Sequence, residues 1–173
     1  MSKEFINIEQ AIFDILDVDG KHRYSRIPYL ESKEKELLIS LPAEEAFNEL
    51  IKYVDFDEIR TKTFEAISFL NTERSLLFLV NQLSNERSFR RFMVCKQLGN
   101  IKSKQSYDIL FRVALFDISP DVRVGAVEVL SSSSNSYVLP MLHEIANRND
   151  DEVDSRGHTP SNSARVLLSV FGQ

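Results

Sequence analysis

Apolar residues recur along the chain three or four positions apart, and no stretch alternates with the period of two that marks a half-buried strand. Phe5, Ile8, Ala11, Ile12, Ile15 and Leu16 form a first helical stripe, and Tyr29–Leu41, rich in Lys and Glu, reads as a second helix. Ala46, Phe47, Leu50, Ile51 and Val54 mark a helix over Ala43–Val54, and Phe64, Ile67 and Leu70 mark one that opens at Arg60. Leu76, Leu77, Val80 and Leu83 mark Ser75–Leu83. Arg91–Leu98 follows, with Gly99 expected as the left-handed residue just past its end. Ile109, Leu110, Val113 and Leu115 place a helix over Ser106–Phe116. Ser119 is expected to cap the next helix with its hydroxyl, with Pro120 in the first turn and Asp121 near the positive end of the dipole. Val138, Leu139, Leu142 and Ile145 mark Ser136–Ala146, and Arg165–Phe171, opened by Thr159-Pro160 and closed by Gly172, is the last helix.

From Ala43 onward the helices come in pairs, four times, with a period near 32 residues. Arg60, Arg91, Arg123 and Arg165 occupy matching places in the second helices and stand 31, 32 and 42 residues apart. A regular period would place the last arginine near Ser155, so residues 148–160 read as a lengthened loop, with a short broken helix as the alternative. Residues 1–42 fit no repeat. A stack of repeats needs an end that covers the open face of its first member, so these residues are expected to form an N-terminal helical cap.

Two segments carry a family resemblance. Tyr137-Val138-Leu139-Pro140-Met141-Leu142, followed by Asn149-Asp150-Asp151-Glu152-Val153, resembles the first helix and turn of a HEAT repeat, and Asp121-Val122-Arg123 through Ala126 to Leu130 resembles its second helix. Proline is costly inside an ordinary helix, but the family commonly carries one at the place of Pro140. The resemblance covers residues 43–173 and implies an all-α, right-handed α-solenoid of about four HEAT-like pairs in one continuous domain. It also implies that the recurring arginines bond acidic or carbonyl groups of a neighbouring repeat. The second helices would line the concave side and place Glu65, Lys96 and Glu128 there.

Composition narrows the chemistry. A chain of 173 residues with 43% hydrophobic and 27% charged residues suits one globular domain and needs no disulfide or metal to fold. The single cysteine, Cys95, falls on an apolar helix face and reads as a packed thiol; its isolation fits a reducing, cytoplasmic location. The longest apolar run, Leu76–Val80, is far short of a membrane span, and the opening Met-Ser-Lys-Glu-Phe does not read as a secretory leader. The five scattered glycines form no phosphate-cradling loop, dinucleotide fingerprint or nucleophile elbow. His22, His143 and His158 share no ligand spacing, and Asp17, Asp19 and Gly20 fail the spacing of a calcium loop, leaving a plain turn. No cofactor, metal or catalytic activity is expected.

Two charged clusters remain. Asp150, Asp151, Glu152 and Asp154, with His158 beside them, read either as a solvated turn or as a contact surface for a basic partner. Residues 86–104 hold Arg87, Arg90, Arg91, Lys96, Lys102 and Lys104 against Glu86 alone; Arg87, Arg90, Lys102 and Lys104 are the candidates for phosphate contact, although the whole chain carries a net charge of -5. Ser131–Ser134 reads as a polar loop. The reading favoured is a non-catalytic protein-binding module. Small HEAT-like proteins of bacteria include immunity proteins that block a toxin, and the resemblance makes that the favoured specific form. A nucleic-acid-binding or DNA-repair protein is the alternative, weakened by the absence of Trp. A scaffold, adaptor or lyase-type HEAT-like protein comes third.

Overall fold

A computed structural model describes residues 7–18, 29–133, 135–149 and 152–170. Ten α-helices occur among them: α1 (Ile8–Leu16), α2 (Ser32–Ser40), α3 (Ala43–Leu50), α4 (Arg60–Leu70), α5 (Glu73–Gln82), α6 (Ser88–Ile101), α7 (Lys104–Phe116), α8 (Pro120–Ser131), α9 (Leu139–Ala146) and α10 (Pro160–Val170). The described residues contain no strand, so the fold they make is all-α. No helix among them is long and apolar enough to cross a membrane. The chain divides into two compact units, Met1–Leu77 and Phe78–Gln173. Asp19, Gly20, His22, Ser134, Asp150, Asp151 and Gly172 lie outside the described residues.

Local chemistry sets the helix ends. Asn7 caps α1 by accepting from the Gln10 N–H, Glu31 and Glu34 form a reciprocal box at the start of α2, and Ser103 and Ser106 do the same for α7. Ser119 stands at the cap position of α8 but its hydroxyl makes no cap bond; its N–H donates instead to Asp117 at 2.8 Å. Pro140 lies in the first turn of α9, behind a short 3-10 turn over Ser136–Val138, so no helical hydrogen bond is lost. Between Ala146 and Pro160 the described residues form loop and turn with no helix, as the lengthened-loop reading expects.

In the first unit α1 packs on α3, and α4 on α2 and α3, around Ile12, Ile15, Leu38, Leu50, Phe64 and Ile67. Two ion pairs cross from α2 to α4. Glu34 meets Lys62 at 2.6 Å and Lys35 meets Glu65 at 3.1 Å; Glu65 also accepts the Leu30 N–H at 2.7 Å. In the second unit α8 is central and packs on α6, α7 and α10. Its valines Val122, Val124 and Val127 are fully buried with Val94, Leu98, Leu110 and Leu130.

The recurring arginines tie each second helix to the turn that precedes it. Arg60 donates to the carbonyls of Val54 and Asp55, and Arg91 to those of Asn85 and Glu86. Arg123 donates to the carbonyl of Asp117, and Arg165 reaches Ala146, 19 residues back across the long loop. Arg91 and Arg123 also reach one helical pair onward, to Asp117 at 2.8 Å and to Glu152 at 2.7 Å.

Gly99 differs from its expected role. α6 runs through it to Ile101 and ends on Lys102 in the left-handed conformation. The reason for glycine is close approach: a Cβ at Gly99 would stand 2.4 Å from Cγ1 of Val129 on α8, and one at Gly125 would stand 2.3 Å from the Phe92 ring on α6. The two helices exchange a small residue for a large one at both places. Gly99→Ala gains about 1 kcal/mol of helix propensity, but valine is held to one rotamer in a helix and the overlap costs about 1–3 kcal/mol. A net loss of stability on urea denaturation is therefore expected for Gly99→Ala, and a gain would show that the helices move apart freely.

Candidate functional site

The helices α6 and α10 each pack on α8, and residues of the three line two hollows beside the long loop, taken together as one face. α6 contributes Phe89, Phe92 and Lys96, spaced three and four apart, with the Lys96 ammonium 4.9 Å from the centre of the Phe92 ring. α8 contributes Asp121, Glu128 and Val129, and α10 contributes Asn162 and Val166.

The long loop lies against this face, tied to α8 by three polar links. Glu152 pairs with Arg123, Arg156 pairs with Glu128 at 2.8 Å, and Asp121 accepts both the Ser155 N–H at 2.9 Å and the Ser155 hydroxyl at 2.6 Å. Asp154 organises the turn from within. It is only 4% exposed, its carboxylate accepts the N–H groups of Arg156 and His158 and the Arg156 guanidinium, and its own N–H donates to the His158 carbonyl at 2.7 Å. Gly157 closes the turn at φ 83°, where a side chain would be strained.

Burial would raise the Asp154 carboxyl, but the His158 N–H and the Arg156 side chain and N–H outweigh it and hold it below the usual carboxylate range. The Ser155 hydroxyl and N–H hold Asp121 low as well. A depressed carboxylate favours the docked loop above its unfolded pKa and loses that contribution as pH falls through the lower folded value. The loop is expected to hold through mild acid and to release only below about pH 4. Amide signals of Ser155, Gly157 and His158 followed through an acid titration check this; signals that shift midway between pH 5 and 7 would contradict it.

Two hollows flank the loop. One is a cleft of about 430 Å³ lined by Phe89, Phe92 and Val122, with Ser88, Asp121, Ser155 and Arg156 around them. The other, about 220 Å³, is lined by Glu128, His158, Asn162 and Val166 among others. Phe89 stands 65% exposed at the first of these.

The structure thus brings Lys96, Glu128, Glu152 and His158 to the neighbourhood of one face. It gives Glu65 and Asp154 other work: both are buried, and their carboxylates are bonded within the chain. The basic stretch is not one patch. Arg87 and Arg90 stand at the start of α6 and Lys102 and Lys104 beyond its end, about 20 Å away for a helix of this length, while Arg91 between them is buried on Asp117. Sequence alone gives Asp121 only a place in the first turn of its helix and assigns Phe89, Ser155 and Arg156 to no site. The interrupted period between Asp154 and Pro160 was the signal that pointed to Ser155 and Arg156.

Cys95 is fully buried and burial pushes its thiol up to about 12, which removes it as a nucleophile at neutral pH. Among the described residues no three His, Cys, Asp or Glu side chains converge as a metal site would require. No protein-family model, curated protein or solved structure matches the chain.

Proposed function

We propose that the chain is a non-catalytic protein-recognition module built from HEAT-like helical pairs stacked as a right-handed solenoid, and that a partner protein seats on the face of α6, α8 and α10. The observation that carries the reading is Phe89, 65% exposed beside a cleft with apolar walls. Aromatic anchors set in a partly enclosed pocket dominate binding energy at protein interfaces. The polar groups around the cleft are already bonded to one another, Asp121 to Ser155 and Arg156 to Glu128 and Asp154, so a partner that covers them leaves each with hydrogen bonds in place. The repeat reading is supported by Arg91 and Arg123, which make the same two kinds of bond one period apart. Of the forms such a module takes, inhibition of a partner, as immunity proteins inhibit toxins, is the one we favour, and the resemblance alone supports it.

The test is affinity capture from the source cell's lysate with the intact chain and with Phe89→Asp, each with and without nuclease. One dominant protein that survives nuclease and is lost with Phe89→Asp supports the reading, and a toxin as that protein supports the inhibitor form. Capture that Phe89→Asp leaves unchanged removes the cleft from the site. Capture that vanishes with nuclease moves the function to nucleic-acid binding.

A further inference from the structure

A third hollow, polar in its lining, lies at the other end of α6, away from the residues of the proposed recognition cleft. α6 ends on Lys102 at φ 51°, a conformation that glycine and asparagine adopt readily and that a residue with a long side chain adopts at a cost. Lys102 lines a cavity of about 560 Å³, together with Tyr107 of α7 and Ser132, Ser133, Asn135 and Ser136 between α8 and α9. That volume is within the range of small-molecule sites. Among the described residues no carboxylate lines it, Lys102 makes no ion pair, and the Ser133 hydroxyl is buried with no hydrogen-bond partner. A buried hydroxyl left unpaired is costly, and a ligand acceptor would remove that cost. Lys104 takes no part, because its ammonium rests over the Tyr137 ring, whose hydroxyl donates to Asp108 at 2.6 Å.

A strained residue that presents a free ammonium, a spare buried hydroxyl and a carboxylate-free lining of hydroxyls and one amide together complement an oxyanion. We propose that this cavity binds a phosphate group, with Lys102 neutralising its charge, Ser133 donating to one oxygen, and Asn135 and Ser136 beside it. The size of the cavity points to the phosphate of a small monoester. A nucleic-acid backbone offers the same group, and the experiment separates the two.

The full chain, labelled with ¹⁵N, is titrated with inorganic phosphate, with glycerol phosphate and with a single-stranded oligonucleotide lacking terminal phosphates, chloride at matched ionic strength serving as control. Saturable shifts of the Lys102, Ser133, Asn135 and Ser136 amides with phosphate and the monoester, and none with chloride, support the site. A tighter response to the oligonucleotide also supports it and assigns the phosphate to a nucleic-acid backbone. Lys102→Gly is expected to weaken binding at least tenfold while leaving the thermal midpoint unchanged or higher, because glycine takes the left-handed conformation without strain. Ser133→Ala is expected to weaken it several-fold. No saturable shift, equal shifts with chloride, or unaltered binding by Lys102→Gly overturns the proposal.

Discussion

Arg91→Ala is expected to cost about 3–5 kcal/mol of folding stability, the largest effect of any single change to a side chain in the second unit. The guanidinium grips Asp117 with two parallel bonds of 2.8 Å and donates to the carbonyls of Asn85 and Glu86 at 2.8 and 3.0 Å. Both charged groups are nearly enclosed, with side-chain exposures of 5% and 8%. Truncation therefore leaves Asp117 charged and desolvated and two carbonyls short of a donor, which is far worse than the loss of an exposed pair. Arg91→Lys keeps the charge but not the planar fork, so it is expected to recover only a minor part. Arg91→Met combined with Asp117→Asn removes the stranded charge, keeps an acceptor for the Ser119 N–H, and is expected to be more stable than Arg91→Ala alone. Denaturant unfolding of the three variants checks the ordering. A loss below about 1 kcal/mol for Arg91→Ala would place the pair in the class of surface ion pairs and refute its burial.

Glu65→Ala is the matching test in the first unit, with an expected loss of about 3 kcal/mol. The value sits at the low end because Lys35 is 32% exposed and can turn to water. What remains costly is the Leu30 N–H, buried and bonded to Glu65 at 2.7 Å. Glu65→Gln keeps an acceptor for that N–H and gives up only the charge, so about 1 kcal/mol is expected. Hydrogen exchange at the Leu30 amide, together with denaturation, separates the two contributions. A neutral Glu65→Ala would mean that the carboxylate is not used by the fold and would return Glu65 to the candidates for partner contact.

Glu65 shows what a periodic pattern conveys and what it omits. The spacing of Phe64, Ile67 and Leu70 placed a helix from Arg60 onward, and α4 stands there. The resemblance to a HEAT repeat put Glu65 on an outward, concave face, because it implies that one side of each second helix meets water or a partner. α4 is instead buried on nearly every side from Arg60 to Ser68, and its charges are met by Glu34 and Lys35 from residues about thirty positions earlier. Those partners share no short-range pattern with α4. Gly99 misleads in a related way: beside a helix end it signals a cap, but its purpose is set by Val129 on another helix. Asp154 reads as one of four acidic residues, yet its carboxylate is enclosed by the turn it organises.

The order of helices, the recurring arginines, the lengthened loop and the buried thiol were legible in the residues alone, because helical period, capping and burial preference act within a few positions of the chain. Which carboxylates are enclosed, why two glycines stand inside helices, and which side chains meet at the cleft and at the polar hollow were decided only when distant segments came together. Those outcomes depend on contacts between residues about thirty positions apart, and at that range sequence spacing carries no information about direction or distance.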